Sequence, residues 1–520
     1  MRATSIGHAG ILVDTVDGSI VCDPWFVPQF FGSWFVFPRN DQLRPELIER
    51  ICNPTYLYVS HIHGAHLDEV WLSTMINKDT TVLVPGHPTR ELERTLRGLG
   101  FHNVVRTVDG EEMALGPHLS VAIHCEAGHG LGPVAGSAIV ISDGTGRLVN
   151  QNDFLPADPS TLRSHGPVDL HWLQYSGAGW FPMALEETPQ RMRELVAAHV
   201  AARSTRAMLE VESVGARAVV PSSGPPAFLD PDLFRLNSLA GHEPSTFIDQ
   251  ADFIAQLAEA GHNGILAVPG SEIDLTGDGA LLVTHPLPIT DVEAIFADKE
   301  AYLRLYQADW LPWLNQMKAG WSSTTTNLLA TIKAWWEPLM AMAPTLCDAI
   351  GEVVVVEAGE LPIAIDFPRR EVRVWIGEPH GLRFHVGRDL FETVVAEGAA
   401  DWVNGLLVSC RFQAWSDGGN KAHIDAFFSS LSVERMHITE ARAVSELGPA
   451  GGGAHDGDVL IGDWLVQRIC PHRLADLGVF GEIDGDELVC TMHGWRFDLP
   501  SGRCLNADCR PLRVRRTVPD

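Results

Sequence analysis

Ser60-His61-Ile62-His63-Gly64-Ala65-His66-Leu67-Asp68 leaves a short β-rich run, Thr55 to Ser60, and enters a helical stretch, Glu69 to Ile76. Histidines at i and i+2 beyond a strand, with a third at the start of the next helix, can converge on one point past the strand's C-terminal end. Three imidazoles within six residues read as metal ligands in preference to packing. Around them the chain alternates apolar strands with helical segments, starting with Ile11-Leu12-Val13 and Ile20-Val21-Cys22 as a hairpin about the turn Asp17-Gly18.

The stretch resembles the His-x-His-x-Asp-His signature of the metallo-β-lactamase superfamily, and the likeness extends over roughly residues 1 to 230. Gly7-His8-Ala9-Gly10 and Asp23-Pro24-Trp25 resemble the opening of its lactonase-like branch. Val82-Leu83-Val84-Pro85, with a helix from Thr89 to Leu99, resembles the next unit. The resemblance implies an αββα sandwich. It also implies His129, after a strand Leu119 to Ile123, as a further metal ligand, and Asp153 as the bridging carboxylate.

Two departures qualify it. Ala65 stands where the family has a ligating Asp, and Ala218-Val219-Val220-Pro221 continues as Ser222-Ser223-Gly224 where the family places its last metal-binding His. His61, His63, His129 and Asp153 then make one complete site, while the second retains only His66 and the shared Asp153. A two-metal site that clamps water and leaving group together is half dismantled. The remaining imidazoles and carboxylate suit one iron with open positions. A di-iron version would need His66 and an added ligand such as water.

Blander roles are expected for other histidines: capping or support for His8, core or support for His124, and structural or exposed positions for His102, His118 and His171. Asp23 and Asp68 are candidates to orient ligating imidazoles. Trp25, Phe26, Phe30, Phe31, Trp34, Phe35 and Phe37 crowd a segment broken by Pro28, Gly32 and Pro38. That segment reads equally as an apolar substrate wall or as a packing loop. Gln174 to Trp180, after a strand Val168 to Leu173, is a second candidate lining loop or a tight connection.

Near the C-terminus Cys470-Pro471-His472 is followed after seventeen residues by Cys490-Thr491-Met492-His493. Two thiolates suit one iron of a [2Fe-2S] pair, and two imidazoles on the other raise its potential. A zinc site would use the same residue types, but zinc fingers pair Cys with Cys and His with His, whereas each half here supplies one of each. An apolar strand, Leu460 to Ile469, leads into the first half. The segment resembles Rieske domains, with Cys470, His472, Cys490 and His493 as cluster ligands. Ala475 and Met492 stand where the respiratory type carries an extra disulfide, so the likeness is to the lower-potential kind of Rieske oxygenases and their ferredoxins. The pairing with a metallo-β-lactamase-like domain resembles CMP-N-acetylneuraminate hydroxylases in reversed domain order, and it implies oxygen activation.

The expected architecture is multidomain: an N-terminal α/β sandwich (1–288), a central α+β domain (289–447), a Gly-rich linker (448–455) and an all-β Rieske domain (456–520). The centre turns helical from about Asp291 to Met340, with tryptophans reading as helix-packing core. Antiparallel strands are expected at Val353 to Glu357, Leu361 to Phe367, Val372 to Ile376 and Leu382 to Val386. There is a loose likeness to sterol-carrier-type domains.

A net charge of −28 argues against nucleic acid and anionic membranes. Nine scattered cysteines form no disulfide framework. No apolar run reaches membrane-spanning length, and Met1 to Ser5 leads into a strand, so a cytoplasmic protein is expected. Arg510, Arg513, Arg515 and Arg516 form a solvated face or dock an acidic electron donor. The leading expectation is an iron-dependent monooxygenase acting on a small organic molecule with O2. Its electrons are expected from an external ferredoxin or reductase, and a homo-oligomer is expected. The alternatives are a zinc hydrolase with a redox-sensing Rieske domain and a non-enzymatic electron carrier.

Overall fold

A computed structural model describes residues 1–520 apart from 88, 126–130, 134–135, 157, 178, 277–280, 322–326, 419–420, 448–457, 472–475, 492–494, 507–510 and 518–520. The chain forms two units. The first comprises 1–126, 134–321 and 404–413, and the second the remainder.

The first unit is built on strands β1 (Arg2–Gly7), β2 (Gly10–Thr15), β3 (Gly18–Cys22), β4 (Tyr56–Tyr58), β5 (Thr81–Val84), β6 (Val104–Arg106), β7 (Glu112–Ala114), β8 (Ser120–Cys125), β9 (Ser137–Ser142), β10 (Arg147–Asn152), β11 (Leu170–Gln174), β12 (Ala218–Ser222), β13 (Glu272–Asp274) and β14 (Leu282–Thr284). They make an eight-stranded sheet, β14-β13-β1-β2-β3-β4-β5-β6, and a six-stranded one, β12-β11-β10-β9-β8-β7. Side chains alternate across each strand, so both faces must find apolar partners. Ile11, Val13 and Ile20 of the first sheet share one buried cluster with Val121, Ile139 and Trp172 of the second. On the outer face of the first sheet, Leu12, Val21 and Leu57 pack with Leu47, Leu72 and Leu92 from the helices Pro45–Cys52, Glu69–Thr74 and Glu91–Gly98. On the outer face of the second, Leu173 and Val219 pack with Val211 and Phe253 from the helices Pro189–Val214 and Gln250–Glu259. The result is an αββα sandwich, as expected.

β3, β4 and β5 run parallel, as do β10, β11 and β12. Parallel strands send their carboxyl ends the same way, and ligand sites of α/β folds collect there. Residues 404–413 join this unit through a buried ion pair. Arg411 Nη1 lies 2.8 Å from Asp230, and its remaining donors reach the carbonyls of Phe31 (2.9 Å) and Gly32 (3.1 Å). The aromatic segment is thereby pinned from a stretch nearly four hundred residues further along the chain.

In the second unit a five-stranded sheet, β17-β16-β15-β18-β19, is formed by β15 (Val353–Ala358), β16 (Leu361–Asp366), β17 (Glu371–Val374), β18 (Leu382–Val386) and β19 (Phe412–Ser416). The expected all-antiparallel arrangement is corrected in one place. β18 pairs with β15 in parallel, because the chain crosses back through 375–381 and returns on the free side of β15. Trp336 is fully buried and meets Trp402 edge-on at 4.9 Å, a core role as expected for that aromatic.

The C-terminal part contains the sheets β20-β21-β25 and β22-β23-β24, from β20 (Asp458–Ile461), β21 (Trp464–Gln467), β22 (Gly481–Asp484), β23 (Glu487–Cys490), β24 (Trp495–Asp498) and β25 (Val514–Arg516). The single strand expected over Leu460 to Ile469 is instead a hairpin. It turns at Gly462, whose φ of 56° is the left-handed region a glycine supplies at low cost. Among the described residues no helix is long and apolar enough to cross a membrane. The expected linker 448–455 lies outside the described residues.

Candidate functional site

The loop after β4 carries His61, His63 and His66, and three other strand ends meet it. Asp23, just after β3, accepts hydrogen bonds from the Ser60 amide (2.8 Å) and hydroxyl (2.5 Å) and from His66 Nδ1 (2.7 Å). Since the Ser60 hydroxyl donates to Asp23, the 2.9 Å contact between Ser60 Oγ and His61 Nδ1 has the imidazole donating. That tautomer puts the lone pair of His61 on Nε2, the nitrogen turned toward His63 and Asp153.

His61 Nε2 lies 2.8 Å from His63 Nδ1 and 3.6 Å from Asp153 Oδ2, just beyond β10. One ligand atom from each of His61, His63 and Asp153 falls within 4.8 Å of the others. Gln174, ending β11, donates to the other oxygen of Asp153 at 2.5 Å. His87, beyond β5, contacts the Ser60 carbonyl at 3.0 Å, which anchors the loop from the next strand.

His66 sits between two carboxylates, Asp23 and Asp153, the latter 3.5 Å from its Nε2. Burial opposes its charge, but Asp153 and then Asp23 outweigh that and push its pKa up to about 10. Burial also works against ionising Asp153, and His66 overcomes it, holding that carboxyl below its usual range. Burial first, then the neighbouring His66 and His63, drives the His61 pKa well down, so its ring is neutral and able to ligate. His8 is pushed down to about 3 by burial and then by His66.

Four non-glycine residues around this point adopt left-handed backbone: His8 (φ 52°), Asp23 (42°), Asn152 (47°) and Ser223 (51°). Each follows or ends a strand of the sandwich. Such conformations cost on the order of 1–3 kcal/mol apiece and collect where side chains are aimed at a site. Nothing in the local sequence announces them.

A cavity of about 160 Å³ opens on this cluster. Its polar side holds His63, His66 and Asp153, and its apolar side Phe30, Trp34, Leu155 and Val408. The two readings of the aromatic segment therefore divide by residue. Phe30 and Trp34 line the cavity, while Phe35 and Phe37 pack on Tyr306 and Tyr302 of the helix Lys299–Ala319, and Phe26 stacks on Trp71 at 3.9 Å. Asn404 and Val408 reach the wall from the central part of the sequence and have no motif that could have marked them. Val403–Leu407 is a single π-helical turn, an element often found beside functional sites.

Ala65 and Ser223 both line the cavity beside His66 and Asp153. Neither can supply the strong ligand that the resemblance places there. Asp68 corrects an expectation: it caps the helix Glu69–Thr74 through the Trp71 amide (3.0 Å) and accepts from the amides of Phe26 and Val27. It ties the aromatic segment to that helix, and among the described residues it bonds no histidine. His171 is buried on Gln151 (2.7 Å) and His124 faces His165 (2.8 Å), so both stand apart from the cluster. His129 lies outside the described residues.

In the C-terminal part Cys470 follows β21 and Cys490 ends β23. Both are fully buried in one core cluster with Leu477, Leu488 and Phe497. Asp476 caps the short helix Leu477–Phe480 and pairs with Arg468 at 2.8 Å, holding the end of the first loop. The Thr491 amide donates to the Phe480 carbonyl at 2.7 Å, which holds the start of the second. His472, Ala475, Met492 and His493 lie outside the described residues.

The C-terminal part defines a Rieske protein, and its N-terminal part is an αββα sandwich. Residues 461–515 match the Rieske [2Fe-2S] domain, and residues 328–445 match the Rv3818-like, SCP2-like domain. The chain is 40% identical over 527 residues to the Rieske 2Fe-2S iron-sulfur protein Rv3818 of Mycobacterium tuberculosis (strain H37Rv), covering 99% of this chain and 100% of the relative. A Rieske 2Fe-2S iron-sulfur protein of Mycolicibacterium smegmatis is 38% identical over 531 residues, with the same coverage. The chain belongs to this family of Rieske iron-sulfur proteins. Among solved structures, Igni18, a metallo hydrolase from Ignicoccus hospitalis, aligns with 55% of this chain and 98% of its own at 16% identity and TM-score 0.35. CmlA, a diiron β-hydroxylase from Streptomyces venezuelae, aligns with 54% of each chain at 16% identity and TM-score 0.35.

Proposed function

We propose that this protein is a Rieske-dependent non-heme iron monooxygenase acting on a small organic substrate. One observation carries the reading: His61, His63 and Asp153 bring ligand atoms together at the edge of a cavity, on a chain that also carries a Rieske domain. Ala65 and Ser223, read from the resemblance as replacing second-site ligands, support it. The donor set fits a single iron, with His129 as a further ligand and His66 available to a second ion. Cys470 and Cys490 fit the thiolate half of the cluster, with His472 and His493 as its imidazole half. When bound, the cluster supplies electrons one at a time from an external ferredoxin or reductase, and the iron supplies a place for O2 to react.

The chain's own part is positional. The Asp23–Ser60–His61 relay sets the tautomer, Gln174 orients Asp153, and Phe30, Trp34, Leu155 and Val408 keep water from the apolar side of the substrate.

Asp23→Asn keeps the size and the left-handed backbone but removes a charge from the relay. Metal affinity at the N-terminal site is expected to fall about 10–100-fold, measured by competition with a chelator. The reading itself is tested by loading that site with iron or with zinc, reducing the cluster with dithionite and mixing rapidly with O2. Cluster reoxidation at least about tenfold faster with iron is expected, since zinc has no redox chemistry. Equal rates would sink the proposal.

A further inference from the structure

Among the described residues, Arg203 is the one fixed cation lining the cavity, and it is half-buried on the helix Pro189–Val214. Among the described residues no side chain or carbonyl hydrogen-bonds to it, and the carboxylates it feels, Asp153 and then Glu210, act on it without a direct ion pair. Removing a guanidinium from water without a partner is costly, so buried arginines are normally paired. Its neighbours on the same helix show the contrast: one turn on, Arg206 pairs with the buried Glu210 at 2.9 Å.

The room for Arg203 is specific. A Cβ on Gly177 would come within 2.9 Å of His199 Nε2 and 3.4 Å of Arg203 Nε, so a larger residue there would crowd both side chains. A second, independent group points the same way. Ser223 is 3% exposed, its hydroxyl has no hydrogen-bond partner among the described residues, and it lines the same cavity. A guanidinium with five N–H donors and a hydroxyl that can add another are what an oxyanion takes. The same cavity is also lined by the apolar and aromatic side chains Phe30, Trp34, Leu155 and Val408.

We infer that Arg203, aided by Ser223, binds an oxyanion head group, carboxylate or phosphate, of a small amphiphilic substrate whose apolar body lies against Phe30 and Trp34. The anion fixes one end of the substrate, and the body is then presented to the His61–His63–Asp153 cluster. This deepens the oxygenase reading and rests on it for the word substrate, but its test needs no turnover.

The cluster- and iron-loaded protein is titrated calorimetrically with phenylacetate, phenyl phosphate and the neutral phenylacetamide. At least one anion should bind more tightly than the amide, and which anion does so separates carboxylate from phosphate recognition. Arg203→Gln should weaken that anion on the order of ten- to a hundredfold, the effect of losing a charged hydrogen-bond partner, and leave the amide unchanged. Arg203→Lys should recover part of the loss and Ser223→Ala should show a smaller one, with iron content and cluster absorption unaltered in all three. Anion binding that is absent, no tighter than the amide, or unchanged in Arg203→Gln overturns the inference. The last result would place the anion on the metal instead. Equal iron and zinc reoxidation rates would overturn the oxygenase reading while leaving this binding result intact.

Discussion

His61→Ala is expected to strip iron from the N-terminal site and to stop reductant-driven O2 uptake, while the chain keeps its Rieske cluster. His61 is 1% exposed, and its Nε2 lies near both His63 (2.8 Å) and Asp153 (3.6 Å), so an alanine removes the imidazole that links those two donors. Loss of a supporting hydrogen bond already costs 10–100-fold in metal affinity, and loss of a ligand should cost more than about a hundredfold. Iron should drop from about three to about two per chain, with the cluster's visible and EPR spectra unchanged. Retained O2 uptake would remove this site from the reaction.

Cys490→Ser should produce the complementary result. The thiolate is the soft ligand that a cluster iron needs, and a hydroxyl does not replace it. Cys490 ends β23 inside the core with Cys470, Leu488 and Phe497, so a buried hydroxyl also costs on the order of 1–3 kcal/mol in that part of the chain. The expected protein has lost the reduced-cluster EPR signal, holds about one iron per chain and consumes no O2 with dithionite or ferredoxin. The N-terminal site, built from separate residues, should keep its metal. Uptake that survives in Cys490→Ser would mean that electrons reach the first site without the cluster.

The two metal motifs are the part of this protein that a reader of the sequence can recover. Candidate ligands on one short stretch, as in His61 to His66, or on two stretches with fixed spacing, as in Cys470 to His493, leave a local pattern. The sandwich is legible for the same reason, through strands such as Ile20 to Cys22 that alternate between two apolar faces. The cavity wall is not. Arg203 lies in a long helix among other arginines, and Asn404 and Val408 arrive from the central part, so only the fold brings them to His66 and Asp153. The left-handed backbone at Asp23 and Ser223 is a consequence of strand ends meeting, which no residue type there announces.

Other misses have plainer causes. The run Leu460 to Ile469 reads as one strand by hydrophobicity, yet the Gly462-Asp463 pair inside it is a turn signal that outweighs the apolar flanks. Asp68 fits the chemistry of a histidine partner, but as the residue before a helix it is taken by the Trp71 amide. Propensity for a cap decided its role before proximity to the cluster could.

The central claim is that a mononuclear iron site and a Rieske cluster reside on one chain and work together. Metal analysis of protein purified without oxygen, paired with EPR of the reduced form, tests it most directly. The account predicts about three irons per chain, two in the cluster and one outside it. Zinc in the N-terminal site, with activity undiminished after Cys490→Ser, would contradict it.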